Sequence, residues 1–241
     1  MQAWDKIPDG QKDANGAYYA DYTGIMSIGW NADKYGDISS LDDLLDPKFA
    51  GAVALNGKPA EADAAFNGYL MANQLAGGDI NNLQPGLDYF KKLKEAGNLT
   101  TVDVTNGTID SGQTGVVFDW TYNQASYKKE LKDKGVNWKY KTFPKAQVVS
   151  YYNQAINKDA PHPAAARLWE EYLYTADAQN LWFKGGANPV LLDSMKEDGT
   201  VDQATLKDAI TIEGEPVSYT NDDSTRITEW LQNNWDKTIG N

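Results

Sequence analysis

Short apolar runs alternate with amphipathic segments along this chain. Strand-like runs rich in β-branched and aromatic residues are YTGIMSIGWN, AVAL, TTVDV, GVVFDW, residues 138–143 and VVSYYNQAI. Apolar residues at helical spacing predict helices over residues 60–76, 85–96, 124–134, 161–174, 176–184 and 222–236. Strands that alternate with helices of this length predict an α/β fold with a mainly parallel sheet.

The run GVVFDW ends at Asp119 and Trp120, and a helix follows a few residues later. Ligands bind at the carboxyl ends of strands in open α/β sheets, so we expect Asp119, Trp120, Thr121 and Tyr122 to contact a small polar molecule. Asp119 could pair with a cationic group or accept hydrogen bonds from hydroxyls, and the alternative is a cap on the next helix. Trp120 could stack on a sugar ring or an ammonium group, and the alternative is core packing.

Composition and net charge exclude several classes of function. The chain has 34 acidic and 22 basic residues, a net charge of -12, so nucleic acid is not expected as a partner. It has no cysteine, which excludes disulfides, thiol catalysis and cysteine-bound metals. Its one histidine, His162, lies between two prolines and reads as part of a helix start. Histidine-based triads and multi-histidine metal sites are therefore not expected, and the leading prediction given below has no metal site, no cofactor and no catalytic residue.

Three segments carry a family resemblance: SLDDLLDPKFAGAVALNG, GVVFDWTYNQA and QAINKDAPHPAAARLWEEYLYTADAQNLWFKGGANPV. In this order they resemble the extracellular solute-binding proteins of bacterial ABC importers, in the branch that includes ferric-ion, polyamine, phosphonate and sugar-phosphate binders. The resemblance covers nearly all of residues 4–235. It implies a two-lobed, type II periplasmic-binding fold, a small polar solute held in an interlobe cleft, and an ABC permease as partner.

The resemblance also implies a lobe assignment. Residues 1–31 and 147–210 are expected to form part of the first lobe, and residues 32–146 and 211–241 the second. Members begin with about a hundred residues that build strands of the first lobe, a span within the usual size of a domain. This chain begins at the approach to the hinge, so we expect an incomplete first lobe with an exposed apolar face. A homo-dimer or a companion fragment is then expected to cover it.

Further site residues follow from the strands and loops near the expected cleft. Tyr151 and Tyr152 lie where polyamine-binding members carry an acid, and because side chains alternate along a strand we expect one of them, Tyr152 in preference, to face the solute. Tyr22 and Thr23 are the expected polar contribution of the first lobe.

The loop Asn56-Gly57-Lys58-Pro59 precedes a helix, whose free N–H groups attract anions. Related proteins hold carboxylate or phosphate with this loop, which makes Asn56 and Lys58 candidate ligand-binding residues. Ferric-binding members carry two adjacent tyrosines after the strand that ends at Trp120, where this chain has Thr121-Tyr122. One phenol is a poor ferric site, so iron is not favoured.

The leading prediction is therefore a non-catalytic receptor that binds a small polar solute outside the membrane. The family implies an extracellular or periplasmic location, with a lipid anchor in the natural full-length form. One alternative is a hydrolase that uses paired carboxylates such as Asp103 and Asp119. Another is a sensor ectodomain or an isolated binding-protein fragment.

Overall fold

The computed structural model describes residues 1–240. Its strands are β1 Tyr19–Asn31, β2 Val53–Leu55, β3 Val116–Trp120, β4 Trp138–Lys141, β5 Val149–Gln154 and β6 Asn188–Pro189. Its α-helices are α1 Ala32–Tyr35, α2 Asp63–Leu75, α3 Gln84–Glu95, α4 Asn106–Asp110, α5 Thr121–Leu131, α6 Pro163–Leu173, α7 Ala176–Lys184, α8 Leu192–Glu197, α9 Gln203–Asp208 and α10 Asn221–Thr238. Within this range no helix is long and apolar enough to cross a membrane.

The chain divides into two compact units. Unit 1 comprises Met1–Ile25 and Ser150–Thr211, and unit 2 comprises Met26–Val149 and Ile212–Asn241. The last residue of unit 2, Asn241, lies outside the described residues, as does the end of the predicted second lobe. The sequence-based assignment of residues to lobes stays a prediction.

The sheet of unit 2 has the strand order β2-β3-β1-β4. Strands β2 and β3 are parallel, with Val53 opposite Val116. Strand β1 runs antiparallel to both of its neighbours in this unit, β3 and β4, so the prediction of a mainly parallel sheet is wrong. Alternation of helices and strands along the chain does not determine spatial neighbours, and β1 enters this sheet from unit 1 without a crossover helix.

Aromatic packing forms the main core of unit 2. The ring of Phe90 on α3 lies 5.9 Å from that of Tyr69 on α2 and 5.2 Å from that of Trp235 on α10. Ile227 and Leu231 of α10 are also buried. These contacts hold α2, α3 and α10 on the sheet that carries Asp119.

Unit 1 is built around the first part of β1. This segment pairs antiparallel with β6, with Tyr22 opposite Pro189 and Thr23 opposite Asn188. The separate core of this unit includes Tyr19 of β1 and Leu173 of α6. The sheet therefore places Tyr22 and Thr23 on a strand backed by its own core.

Two local predictions differ from the structure. The run TTVDV is not a strand, because Leu99 makes only an isolated bridge to Val53 of the three-residue β2 and pairing ends there. Helix α5 begins at Thr121 instead of residue 124, immediately after Trp120. The candidate residues Thr121 and Tyr122 therefore belong to the first turn of a helix.

Gly29 tests the packing of unit 2. A Cβ atom there would lie 2.0 Å from Gln124 Oε1 and 2.8 Å from Trp138 Nε1, two groups joined by a hydrogen bond of 2.8 Å. We expect Gly29→Ala to lower the free energy of unfolding by about 1–3 kcal/mol, because the added methyl must separate this pair. Urea unfolding followed by circular dichroism measures the change.

Gly10→Ala is the matched control, since no atom lies within 4 Å of its Cβ position. Its effect should stay within about 0.5 kcal/mol. Equal stability of the two variants would contradict the packing described for Gly29.

Candidate functional site

A buried carboxylate organises the candidate residues of unit 2. Asp119 Oδ1 accepts hydrogen bonds from the Trp120 backbone N–H, at 2.7 Å, and from Asn123 Nδ2, at 2.8 Å. Asp119 Oδ2 accepts from Asn56 Nδ2, at 2.8 Å, and from the Tyr127 hydroxyl, at 2.9 Å. Both oxygens therefore have two donors, and Asp119 joins the β2–α2 loop to the first two turns of α5.

The position of this network follows from the sheet. Strands β2 and β3 are parallel, so Asn56 and Asp119 lie at the same sheet edge, each at the carboxyl end of its strand. Asp119 has no exposed surface. Burial raises the pKa of its carboxyl, and the hydrogen bonds from Asn123, Trp120, Tyr127 and Asn56 oppose that shift.

The residues that follow Asp119 differ in exposure. Trp120 is 2% exposed, and its indole hydrogen-bonds the Asp63 carboxylate at the start of α2. Thr121 is buried, whereas Tyr122 is half-buried with its ring 6.4 Å from that of Trp120 in a stacked arrangement. Tyr122 is the member of the predicted group Asp119–Tyr122 with the most accessible side chain.

The loop after β2 lies beside the same network. Asn56 is half-buried, and Lys58 is exposed, with its Nζ 3.9 Å from the Glu61 carboxylate. Lys58 also lines a cavity of about 400 Å³ that includes Thr100 and Asp103. Helix α2 begins at Asp63, so a short turn separates Lys58 from the helix start.

Unit 1 carries a stack of three aromatic rings. The ring centroid of Tyr22 lies 5.0 Å from that of Tyr152 on β5 and 4.4 Å from that of Trp182 on α7, with interplanar angles of 23° and 26°. Tyr152 remains 42% exposed. Burial raises the pKa of Tyr22, with Tyr152 and Asp21 adding to the shift, so the hydroxyl of Tyr22 is a neutral hydrogen-bonding group at physiological pH.

The other two candidates in unit 1 are held by the protein itself. The buried Thr23 hydroxyl donates to the carbonyl oxygens of Gly24 and Ser150, both at 2.8 Å. Tyr151 packs against the core of unit 1, and burial raises the pKa of its phenol. Thr23 and Tyr151 thus fix the pairing and packing of β1 and β5 next to the aromatic stack.

Sequence reasoning missed a second buried carboxylate. Asp21 has no exposed surface and accepts hydrogen bonds from Gln154 Nε2 and Gln179 Nε2, both at 2.9 Å. Burial raises the pKa of Asp21, and these two amides oppose the shift. The available signal in the sequence was that Asp21 is an acidic residue inside a strand-like run of aromatic residues. Nothing local marked Trp182, because its partner Tyr22 is far away in the sequence.

The described residues contain no group of three or more histidine, aspartate or glutamate side chains arranged to hold a metal ion. The polar groups at the two candidate surfaces are amide donors, phenols and one lysine. These groups suit hydrogen bonding to hydroxyls or to an anion, and the aromatic rings suit stacking.

The chain has two α/β units, and each carries polar and aromatic side chains on or next to its strands. This arrangement is typical of a ligand-binding protein. The profile of the family described as bacterial extracellular solute-binding protein matches residues 1–209. The chain belongs to this family, and it is a solute-binding protein of the kind that serves ABC importers. No match to a curated protein was found.

Solved structures share the fold. The apo ferric ion-binding protein A of Pasteurella haemolytica is 19% identical with a TM-score of 0.69, and the match covers 99% of this chain and 74% of that protein. The binding protein AfuA of Actinobacillus pleuropneumoniae, with fructose-6-phosphate bound, is 19% identical with a TM-score of 0.68, covering 98% and 73%. AgtB of A. tumefaciens R10, in complex with agropinic acid, is 17% identical with a TM-score of 0.63, covering 97% and 70%. At these identities the likeness establishes the type II periplasmic-binding fold.

Asp119→Asn tests the carboxylate network. The amide can accept at one oxygen only, so its NH₂ group faces donors that the carboxylate had satisfied. We expect a loss of about 1–3 kcal/mol in the free energy of unfolding. Asp133→Asn, an exposed aspartate of the same unit, is the control and should change stability by less than about 0.5 kcal/mol.

The loss should depend on pH. Because burial raises the folded-state pKa of Asp119 above its ordinary value of 3.8, its contribution is fully present below that value and falls as pH rises through the folded-state pKa. The deficit of Asp119→Asn relative to wild type should therefore be larger at about pH 4 than at about pH 7. A deficit that grows with pH would contradict the raised pKa and would mean that the hydrogen bonds to Asp119 outweigh its burial.

Proposed function

We propose that this protein binds a hydroxyl-rich small solute, a sugar or sugar phosphate, and delivers it to an ABC permease. The observation that carries this proposal is the stack of Tyr22, Tyr152 and Trp182, in which Tyr152 keeps 42% of its surface exposed. An aromatic platform of this kind favours the flat face of a sugar ring, and the phenol hydroxyls add hydrogen bonds to the sugar's hydroxyls. In unit 2, the exposed Lys58 is the candidate residue for an anionic group.

The proposed site residues have two roles. Tyr22, Tyr152, Tyr122, Asn56 and Lys58 have accessible surface and are proposed to contact the solute. The remaining candidates are buried or packed against the core, and we propose that they position the first group. These positioning residues are Asp119, Trp120, Thr121, Thr23 and Tyr151.

We also propose that the protein is not an enzyme. A hydrolase of the paired-carboxylate kind needs an acid that can exchange a proton with its substrate. Both oxygens of Asp119 are already occupied by four donors, and the side chain has no exposed surface. The family supports an extracellular or periplasmic site of action, and a lipid anchor in the full-length protein is part of this proposal.

A second chain is proposed to cover unit 1, either a further copy of this chain or a companion fragment. The support is a set of exposed large apolar side chains on α6 and α7.

Thermal unfolding in the presence of glucose, fructose 6-phosphate, spermidine or ferric citrate tests the solute class. A ligand that binds only the native state raises the midpoint of thermal unfolding. At a concentration one hundred times its dissociation constant, it adds about 2.7 kcal/mol to the free energy of unfolding. We expect the sugar phosphate or the sugar to raise it. A response to ferric citrate alone would contradict the proposed solute class, and conversion of the probe during the incubation, followed by NMR, would contradict the non-catalytic function.

Tyr152→Ala tests the aromatic platform with the probe that gives the largest shift. Loss of one stacking ring should weaken binding by about 2- to 10-fold, since an aromatic contact contributes about 0.5–1.5 kcal/mol. Tyr18→Ala is the matched control, because Tyr18 is 44% exposed in the same unit and does not belong to the stack. Isothermal titration calorimetry measures both variants, and equal affinities would contradict the placement of the solute on Tyr152.

A further inference from the structure

A cavity of about 510 Å³ lies in unit 1, between α6 and the segment that leads into β1. Its lining includes Trp4, Tyr19, Ile156, Arg167 and Glu170. The described residues that line it include no ring of the aromatic stack, so it is separate from the proposed solute platform. Its volume is within the range of about 300–1,000 Å³ that is usual for small-molecule sites. We call it the α6 cavity.

Glu170, on the wall of the α6 cavity, is a buried acid without a partner. It is only 7% exposed. Within residues 1–240 its carboxylate accepts no hydrogen bond and forms no ion pair, and burial is the one cause that raises its pKa. Burial also raises the pKa of the nearby Tyr174, with Asp21 and Glu170 adding to the shift, but the Tyr174 hydroxyl donates to the Ala20 carbonyl oxygen, at 2.7 Å. Glu170 is therefore available to a cation that enters the cavity.

The unpaired carboxylate of Glu170 has an energetic consequence. A buried charge costs free energy when no donor replaces the water that it loses. Asp119 and Asp21 are also buried, but each accepts hydrogen bonds from side chains of its own unit. A bound ammonium group would give Glu170 the donors that it lacks. A group that lowers the stability of the free protein in this way is typical of a ligand-binding site.

The α6 cavity also holds a positive charge without a partner. Arg167 precedes Glu170 by three residues, about one turn of α6, and it is exposed and forms no ion pair within residues 1–240. Glu171 lines the cavity too, but the Met1 amino group lies 3.2 Å from one of its carboxylate oxygens and the Gln2 backbone N–H donates to the other, at 3.0 Å. The free charged side chains among the described lining residues are therefore one carboxylate and one guanidinium.

We propose that the α6 cavity binds a zwitterionic amino acid with an apolar side chain. The ammonium group of the amino acid pairs with the buried Glu170, and its carboxylate pairs with the exposed Arg167. The rings of Trp4 and Tyr19, whose centroids are 5.9 Å apart in an edge-to-face arrangement, contact the apolar side chain. This site goes beyond the proposed solute binding and does not depend on it.

A zwitterion fits these two charges better than a simple cation or a simple anion. A simple cation would be attracted to Glu170 and repelled by Arg167, and a simple anion would meet the buried charge of Glu170. An α-amino acid carries its ammonium and carboxylate groups on one carbon atom. Both groups can therefore reach two side chains that are one helical turn apart.

Isothermal titration calorimetry at about pH 7 with matched probes tests the ligand class. L-Phenylalanine carries both charges, phenethylamine lacks the carboxylate and 3-phenylpropionate lacks the ammonium group. We expect phenylalanine to bind most tightly, phenethylamine to bind at least about threefold more weakly, and 3-phenylpropionate not to bind. The proposal is overturned if phenylalanine does not bind, or if either of the other two probes binds as tightly as phenylalanine.

Glu170→Gln tests the buried acid. The amide keeps the shape of the side chain and removes its charge, so phenylalanine should bind at least about tenfold more weakly. In the absence of ligand the same change should raise the midpoint of thermal unfolding by about 2–4 °C, because the cost of the unpaired buried charge is removed. Asp177→Asn, at an exposed acid of the same unit, is the matched control and should change neither quantity. A lower midpoint or an unchanged affinity in Glu170→Gln would overturn the proposal.

Arg167→Gln tests the second charge. It should weaken the binding of phenylalanine about threefold to tenfold, because the carboxylate of the ligand loses its partner at an exposed position. It should not weaken the binding of phenethylamine, which has no carboxylate. Lys207→Gln, at an exposed lysine of the same unit, is the matched control and should leave both affinities unchanged. Wild-type affinity for phenylalanine in Arg167→Gln would overturn the assignment to a zwitterion.

Two measurements separate this site from the proposed solute site. The affinity for phenylalanine should be the same in Tyr152→Ala and in wild type, since Tyr152 does not line the α6 cavity. The thermal-shift response to the sugar probes should be the same in Glu170→Gln and in wild type. Loss of phenylalanine binding in Tyr152→Ala would place the amino acid on the aromatic stack and overturn the assignment to the α6 cavity.

Discussion

The four hydrogen bonds accepted by the Asp119 carboxylate are the interaction on which the candidate site of unit 2 depends. A buried charge is tolerated only when its lone pairs are used, and here they are used by groups from the loop after β2 and from α5. Any movement of Asn56 or of the first turns of α5 would leave part of that charge unsatisfied. The carboxylate therefore holds the loop after β2 against the start of α5. This contact fixes the position of the accessible Tyr122 side chain.

Unit 1 uses the same physical device. Asp21 is buried on β1 and is held by the amides of Gln154 on β5 and Gln179 on α7. Its neighbour along the strand, Tyr22, stacks on rings from the same two elements, Tyr152 and Trp182. The hydrogen bonds of Asp21 hold β1, β5 and α7 together. The aromatic surface that these elements carry is therefore held in place as well. A rigid aromatic surface loses little conformational entropy when a solute binds.

Periodicity predicted the long elements well, because burial of one face is recorded locally. Helix α7 has the predicted bounds, and α10, predicted over residues 222–236, buries Ile227, Leu231 and Trp235. The end of β3 at Trp120 was also predicted. The donors to Asp119 were not, since Asn56 is 63 residues away and its approach depends on the pairing of β2 with β3. Strand direction failed for the same reason, because sheet neighbours are set by tertiary packing.

Helix α6 shows where a pattern is read correctly and still leaves the answer open. Apolar residues at helical spacing predict a helix over residues 161–174, and α6 forms there. The pattern does not say which surface the apolar face of this helix meets. In this chain Leu173 enters the core of unit 1, whereas Leu168 and Trp169 of the same helix are exposed. Periodicity therefore predicts that a helix has an apolar face, whereas tertiary packing decides how much of that face is buried.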